Sequence, residues 1–265
     1  KARVNLTQGN WETAITNAQL ARAGHTLMTF DTYKAGFKDN LDAISEFMWA
    51  SHIVEDQTNY FGNLGAYLSR NYSSSAIRAN PRAINSVLYN TAIPATDVRK
   101  TLFDPTGLHT ALALPSNFTK KPFTSQKFLS VSTGDSRMDI VMMRAAEMYL
   151  IEAEAYARWG GYDTNAKQAL YDLLITRNPN YVLSSNTGQA LIDEIMLERR
   201  TELWGEGFRF YDLKRLNLPL NRNGANHNSA FANNVMLVPA GDKRWTFLIP
   251  QAEIDANPLM VQNPI

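Results

Sequence analysis

A pattern of small residue, glycine and aromatic occurs twice in this chain and restricts its fold more than any other feature. Ala2 precedes Gly9-Asn10-Trp11-Glu12-Thr13, and Ala153 precedes Gly160-Gly161-Tyr162-Asp163-Thr164 at the same spacing. Ala18 and Ala169 then fall at matching offsets. Small residues let two helices approach closely, glycine turns the chain, and an aromatic starts the next helix. This is helix-turn-helix pairing of the tetratricopeptide type, a unit that buries its apolar face only by stacking on another. The expectation is a mainly α fold: a tetratricopeptide-like helix-pair scaffold with long loop-rich segments and a few short strands.

Hydrophobic periodicity divides the chain into regions. Residues 1–24 read as two helices, with Asn10 a candidate N-cap and Trp11, Ile15, Ala18 and Ala21 as a stripe. Residues 136–216 are the most helical. One helix is expected over 139–159, with Met142, Ala146, Tyr149, Ala153 and Tyr156 on one face. Val141, Ala145, Met148 and Ala155 form a second row, so that helix is apolar around much of its circumference and belongs in the centre. Further helices are expected over 163–177, 188–204 and 208–216, broken by Gly160-Gly161, Asn178-Pro179 and the pair Gly205 and Gly207.

The remainder is loop-rich. Within 25–135, residues 47–53 and 122–130 read as short strands, and Asn80-Pro81 as the start of a helix reaching Tyr89. Asp104-Pro105-Thr106-Gly107 reads as a turn. Residues 217–265 are irregular, with one short strand over 245–250. Long loops in a compact domain tend to carry function.

Several function classes are excluded. A net charge of +1, from 26 Lys+Arg against 25 Asp+Glu, leaves no overall electrostatic footprint for nucleic acid. There is no cysteine, hence no disulfide scaffold, thiolate metal site or cysteine nucleophile. No apolar run reaches the roughly 18 residues that span a bilayer. The histidines, His25, His52, His109 and His227, form no zinc-hydrolase spacing, and neither a phosphate-binding loop nor a serine elbow occurs. No cofactor and no metal site is expected.

Carboxylates need separate thought, because glycosidases use a pair of them across a cleft. Glu147 and Glu154 share one helix face, with Arg144 and Arg158 at helical spacing, and Glu198 and Glu202 lie beside Arg199 and Arg200. Acids on one face, each beside an arginine, read as ion pairs tying helices together. The aromatics divide likewise. Tyr149, Tyr156 and Trp204 have core periodicity. Trp49, Tyr60, Phe61, Tyr67 and Tyr72 fall in or beside loops, among Asn59, Asn63, Arg70 and Asn71. Ring faces stack on sugar C–H surfaces and amides bind hydroxyls, so this stretch is the candidate platform for a neutral polar ligand.

Three segments of the second half carry a resemblance. Residues 144–155 (RAAEMYLIEAEA), 197–215 (LERRTELWGEGFRFYDLKR) and 247–258 (FLIPQAEIDANP), the last followed by Gln262-Asn263-Pro264, resemble the SusD/RagB family of outer-membrane nutrient-binding lipoproteins in order and spacing. The chain ends Asn-Pro-Ile where that family commonly continues Asn-Pro-Gly-Tyr. The resemblance implies a SusD-like chain that forms roughly the C-terminal portion of a single domain. It implies a ligand-facing region near 25–135, a helical scaffold near 136–216 and an irregular end over 217–265. The chain starts at Lys1 in text that reads like the inside of a helix, in keeping with a piece of a longer protein.

By the same resemblance the signature motifs are scaffold, and ligand binds at variable aromatic-lined loops. The expected function is non-catalytic capture of an oligosaccharide or polysaccharide at the cell surface. Delivery would go to a SusC-like TonB-dependent transporter, and membrane attachment would be through an N-terminal lipid anchor outside this chain. No nucleic acid is involved. The candidate ligand residues are Trp49, Asn59, Tyr60, Phe61, Asn63, Tyr67, Arg70 and Tyr72. Three alternatives stand beside this reading: a peptide-binding member of the same family, a helical-repeat interaction scaffold, and a glycosidase.

Overall fold

The computed structural model describes residues 1–57, 63–115, 117–230 and 232–263. They form two units, Lys1–Glu206 and Gly207–Ile265. The first unit begins with helices α1 (Ala2–Gln8), α2 (Trp11–Arg22) and α3 (Phe30–Lys34), then strand β1 (Phe47–Ser51). Short helices α4 (Leu64–Leu68), α5 (Ser75–Ala79) and α6 (Ser86–Ala92) follow, with two-residue strands β2 (Phe103–Asp104) and β3 (Thr124–Ser125). Strand β4 (Ile140–Arg144) leads into α7 (Ala145–Trp159), α8 (Asp163–Leu174) and α9 (Gly188–Glu202). The second unit holds α10 (Phe208–Arg215), β5 (Leu220–Asn221), β6 (Leu237–Val238) and α11 (Gln251–Ala256).

The repeated pattern produces two helix pairs. Gly9 ends α1 in the left-handed conformation (φ 77°), and Gly160 and Gly161 turn α7 into α8 with φ of 81° and 77°. The pairs stack through α2 against α7. Ala14 and Ala18 are fully buried there beside Met148, Ile151 and Ala155, and their small size is what allows the close approach. Charge closes the edges: Arg3 bonds Glu147 at 2.6 Å, and Arg22 bonds Glu152. A second core joins α3, β1 and α6 around Phe37, which meets Tyr33, Phe47 and Phe128 edge to face. Burial of one such ring contributes roughly 2–3 kcal/mol.

Four expectations are corrected. Residues 139–159 are not one helix. Ile140–Arg144 is extended and pairs antiparallel with β1, in the register Phe47↔Arg144, Trp49↔Met143, Ala50↔Val141 and Ser51↔Ile140, with bulges. The apolar run at 140–143 suits a strand as well as a helix, and pairing with β1 decides between them. Asn80-Pro81 starts no helix. Residues 82–84 run beside 123–125 through Ser125 N–H to Arg82 O and Ile84 N–H to Phe123 O, both 2.9 Å, and α6 begins later under an Asn85 cap. Of the strand expected over 122–130 only Thr124–Ser125 forms. No strand forms over 245–250, where a short 3₁₀ turn covers Lys243–Trp245. Gln262 takes the place of a strand neighbour: its side chain accepts from Ile249 N–H at 2.8 Å and donates to Ile249 O at 2.9 Å.

The acids read as structural lie in buried ion pairs drawn from several elements. Arg144 bridges Glu46 (2.7 Å), Glu202 (2.6 Å) and Glu206 (2.8 Å). Arg177 reaches Glu46 (2.8 Å) and Glu202 (3.2 Å), and Arg99 reaches Asp97 (2.5 Å) and Glu198 (2.7 Å). Lys127 donates to Glu206 at 2.7 Å and to the carbonyls of Glu202 and Trp204. Burial alone would raise the Glu202 carboxyl, yet Arg177, Arg144 and Arg99 together hold it well below the usual carboxylate range. Glu154 keeps its expected partner Arg158 at 2.7 Å. Glu147 takes Arg3 as partner, because Arg144 lies on a strand and turns toward Glu46 and Glu202.

Candidate functional site

One strip of chain, residues 136–144, backs the loop-rich region and fixes two exposed rings. At its C-terminal end β4 pairs with β1. Along β1 Phe47 enters the core and Trp49 faces outward with 55% of its surface exposed. At the other end the Ser136 hydroxyl accepts from Asn63 Nδ2 at 2.6 Å, while Asn63 Oδ1 caps α4 by accepting from Ala66 N–H at 2.9 Å. Gly65 lies so close to the strip that a Cβ there would stand 2.0 Å from the Ser136 carbonyl oxygen. Helix α4 therefore rests on the strip through Gly65, and Tyr67 projects with 43% of its surface exposed. Between these ends Asp139, itself buried, accepts from Leu41 N–H (3.0 Å) and bonds His52 Nδ1 (2.8 Å), which fixes the chain as it leaves β1.

The remaining sequence candidates have different surroundings. Arg70 is buried, with 1% of its surface exposed. Its Nη2 donates to Thr119 O at 2.8 Å and its guanidinium lies under the Phe118 ring, 4.9 Å from the centroid. Its Nε and Nη1 have no partner among the described residues, and burial pushes its pKa down. Tyr72 is half-buried. Next to it, Asn71 bonds Ser69 and Ser130 and so pins the loop. Asn59, Tyr60 and Phe61 lie outside the described residues.

Sequence reasoning missed Phe118, and with it Arg78, Arg82, Lys120 and Lys121, which sit on the two segments that meet at Arg70. Thr119 N–H donates to Arg78 O at 2.9 Å while Thr119 O accepts from Arg70. A signal was present: residues 57–96 and 105–134 contain no Asp or Glu at all. No carboxylate pair for glycoside cleavage can be assembled from these segments. What they offer is ring faces, backbone groups and cations.

The SusD family model matches residues 81–265. No curated protein sequence is matched. Among solved structures, a SusD superfamily protein from Bacteroides thetaiotaomicron is 27% identical with a TM-score of 0.76, over 100% of this chain and 59% of its own. A SusD-like carbohydrate binding protein from Bacteroides vulgatus is 26% identical with a TM-score of 0.77, over 97% of this chain and 56% of its own. Surface glycan-binding protein A from Bacteroides thetaiotaomicron shares the fold at 19% identity, with a TM-score of 0.70 over 100% of this chain and 62% of its own. The chain thus spans somewhat more than half the length of the structures it resembles.

Proposed function

We propose, since the chain belongs to the SusD family, that it is part of a surface protein that captures oligosaccharides without cleaving them. In this reading it passes them to a TonB-dependent transporter in the outer membrane, where a lipid anchor carried outside this chain holds it. One observation carries the reading. Two outward rings, Trp49 and Tyr67, are fixed on a common strip, and segments 57–96 and 105–134 contain no carboxylate. Exposed rings held by a rigid backing present apolar faces to sugar C–H surfaces at little conformational cost. The carbohydrate-binding relative from Bacteroides vulgatus supports the same ligand class. The four acids weighed for a glycosidase, Glu147, Glu154, Glu198 and Glu202, are held in the scaffold ion pairs described above.

The test is calorimetric titration of soluble polysaccharides into the wild-type chain, Trp49→Ala and Tyr67→Ala. Saturable binding should weaken about tenfold in each variant, the equivalent of roughly 1.4 kcal/mol, with unfolding midpoints unmoved because both rings are exposed. Heat from peptides and none from polysaccharides would overturn the glycan assignment. Release of reducing sugar would overturn the non-catalytic one.

A further inference from the structure

The overall charge of +1 conceals a segregation. Segments 57–96 and 105–134 hold Arg70, Arg78, Arg82, Lys120, Lys121 and Lys127 with no acid among them, so the rest of the chain is net acidic. Lys127 turns inward to Glu206. The other five cations have no carboxylate at ion-pair distance among the described residues.

Backbone contacts gather these five. Residues 82–84 pair antiparallel with 123–125 through Ser125 N–H to Arg82 O and an Ala83↔Thr124 bridge, and a separate bond joins Thr119 N–H to Arg78 O. Lys120 and Lys121 lie between these two contacts, both exposed, as is Arg82. The turn at Gly107 presses on Lys121, where a Cβ would stand 2.1 Å from the Lys121 carbonyl oxygen. Arg70 lies beneath, bonded to Thr119 O, with Nε and Nη1 unpartnered among the described residues. His109 is pushed down by burial and by the Arg70 charge while Asp104, which accepts from its backbone N–H, opposes the shift, so the imidazole itself carries no negative charge to Arg70.

A guanidinium does not shed its proton. A buried one without a counterion therefore holds an uncompensated charge, which costs stability. Exposed lysines alone would be ordinary solvated surface. A buried, unpaired arginine under an exposed cationic rim is not, because both are relieved by the same event, the arrival of an anion.

We propose, resting on the capture reading above, that the ligand is an acidic oligosaccharide whose carboxylate or sulfate groups are met by Arg82, Lys120 and Lys121 at the rim and attracted by the uncompensated charge of buried Arg70. Trp49 and Tyr67 stack on sugar rings, and the cations select for charge. Uronate and sulfate ester share the oxyanion chemistry, and the experiment separates them.

Dextran, polygalacturonate, dextran sulfate and poly-glutamate are titrated into the wild-type chain, the double variant Lys120→Gln/Lys121→Gln, Arg82→Gln, and Arg70→Met. The expected result is binding of polygalacturonate or dextran sulfate at least tenfold tighter than dextran, with the stronger of the two naming the anion. The lysine double variant should lose about tenfold without a change in unfolding midpoint, and Arg82→Gln should lose several-fold. The exposed-residue variants carry the test if Arg70→Met fails to fold. Acidic-glycan affinity untouched by the rim variants would overturn the proposal. So would poly-glutamate binding as tightly as the acidic glycans, which would reveal a bare polyanion surface. Binding of neutral dextran without preference for charge would overturn it while leaving glycan capture standing. Silence toward every saccharide would overturn both.

Discussion

Arg144 and Arg70 are both buried arginines, each with 1% of its surface exposed, in opposite surroundings. Arg144 sits among Glu46, Glu202 and Glu206, with Arg177 and Lys127 sharing the same acids. Arg70 has one backbone carbonyl and the face of a phenylalanine. The fold can satisfy a buried cation when β4, α9 and the segment holding Glu46 all converge on it. Among the described residues no acid stands at ion-pair distance from Arg70. The contrast separates charge that holds the scaffold together from charge the scaffold leaves available. Buried ion pairs add little net stability over an apolar replacement, but removal of one partner strands the others.

That asymmetry gives the largest expected effect. Glu202→Gln removes an acid shared by Arg144, Arg177 and Arg99, at 2.6, 3.2 and 3.7 Å. The cost should be about 3–5 kcal/mol, read as a large fall in urea midpoint or failure to fold. A loss under 1 kcal/mol would mean that the cluster is no more critical to the scaffold than the unpaired cations are.

The same cluster predicts two slopes with pH. Arg144 and Lys127 outweigh the burial that would raise Glu206, so its folded pKa, like that of Glu202, lies below its unfolded value. The unfolded chain then binds more protons in acid, and stability falls as pH drops below about 4.3. Lys127 works the other way. Burial pushes its pKa down to about 8 although Glu206 opposes the shift. Between about 8 and the unfolded value near 10.4 the unfolded chain holds the extra proton, so stability rises with pH, by up to about 3 kcal/mol. Guanidinium unfolding at pH 8 and pH 10 should show that rise in the wild type and lose it in Lys127→Met. Equal slopes in both proteins would refute it.

How much of this was readable in the sequence depends on the range of the interactions. The helix pairs were legible because Gly9, Gly160, Gly161 and the alanines act within a few residues. The strand at 140–144 was not, since only β1, far away in sequence, makes the apolar run extended. Pairing of Glu154 with Arg158 followed from helical spacing, whereas Glu147 with Arg3 required the stacking of α1 and α2 on α7. At the candidate site, composition marked the region around Trp49 and Tyr67. It could not show that strip 136–144 carries both rings, nor that Arg70 lies buried under Phe118, because those facts depend on chain segments that meet only in the fold.

Gly65→Ala tests the strip itself. The new methyl would collide with the Ser136 carbonyl, a backbone group that cannot turn aside, and α4 must shift. A stability loss of about 1–3 kcal/mol is expected, as for overpacking. Glycan affinity should fall along with it, because Tyr67 moves with α4, whereas Glu202→Gln acts on stability through the scaffold. Thermal unfolding measured beside titration separates the two. Lost stability with unchanged affinity would remove Tyr67 from the site.

The smallest effect has the sign that discriminates best. If Lys120 and Lys121 belonged to an ordinary solvated surface, a charge reversal there would change stability by no more than a few tenths of a kcal/mol in either direction. Beside Arg78, Arg82 and an unpaired Arg70, reversal supplies the missing acid. Lys120→Glu should therefore stabilise the chain by about 0.2–1 kcal/mol at low ionic strength, the range of an exposed ion pair. The gain should fade in 1 M salt, where screening acts over about 3 Å. The same variant should repel an acidic glycan, so it would gain stability while losing affinity. Destabilisation at low salt would show that the lysines are already balanced in the fold, and the contrast between Arg144 and Arg70 would then reduce to one misfit residue.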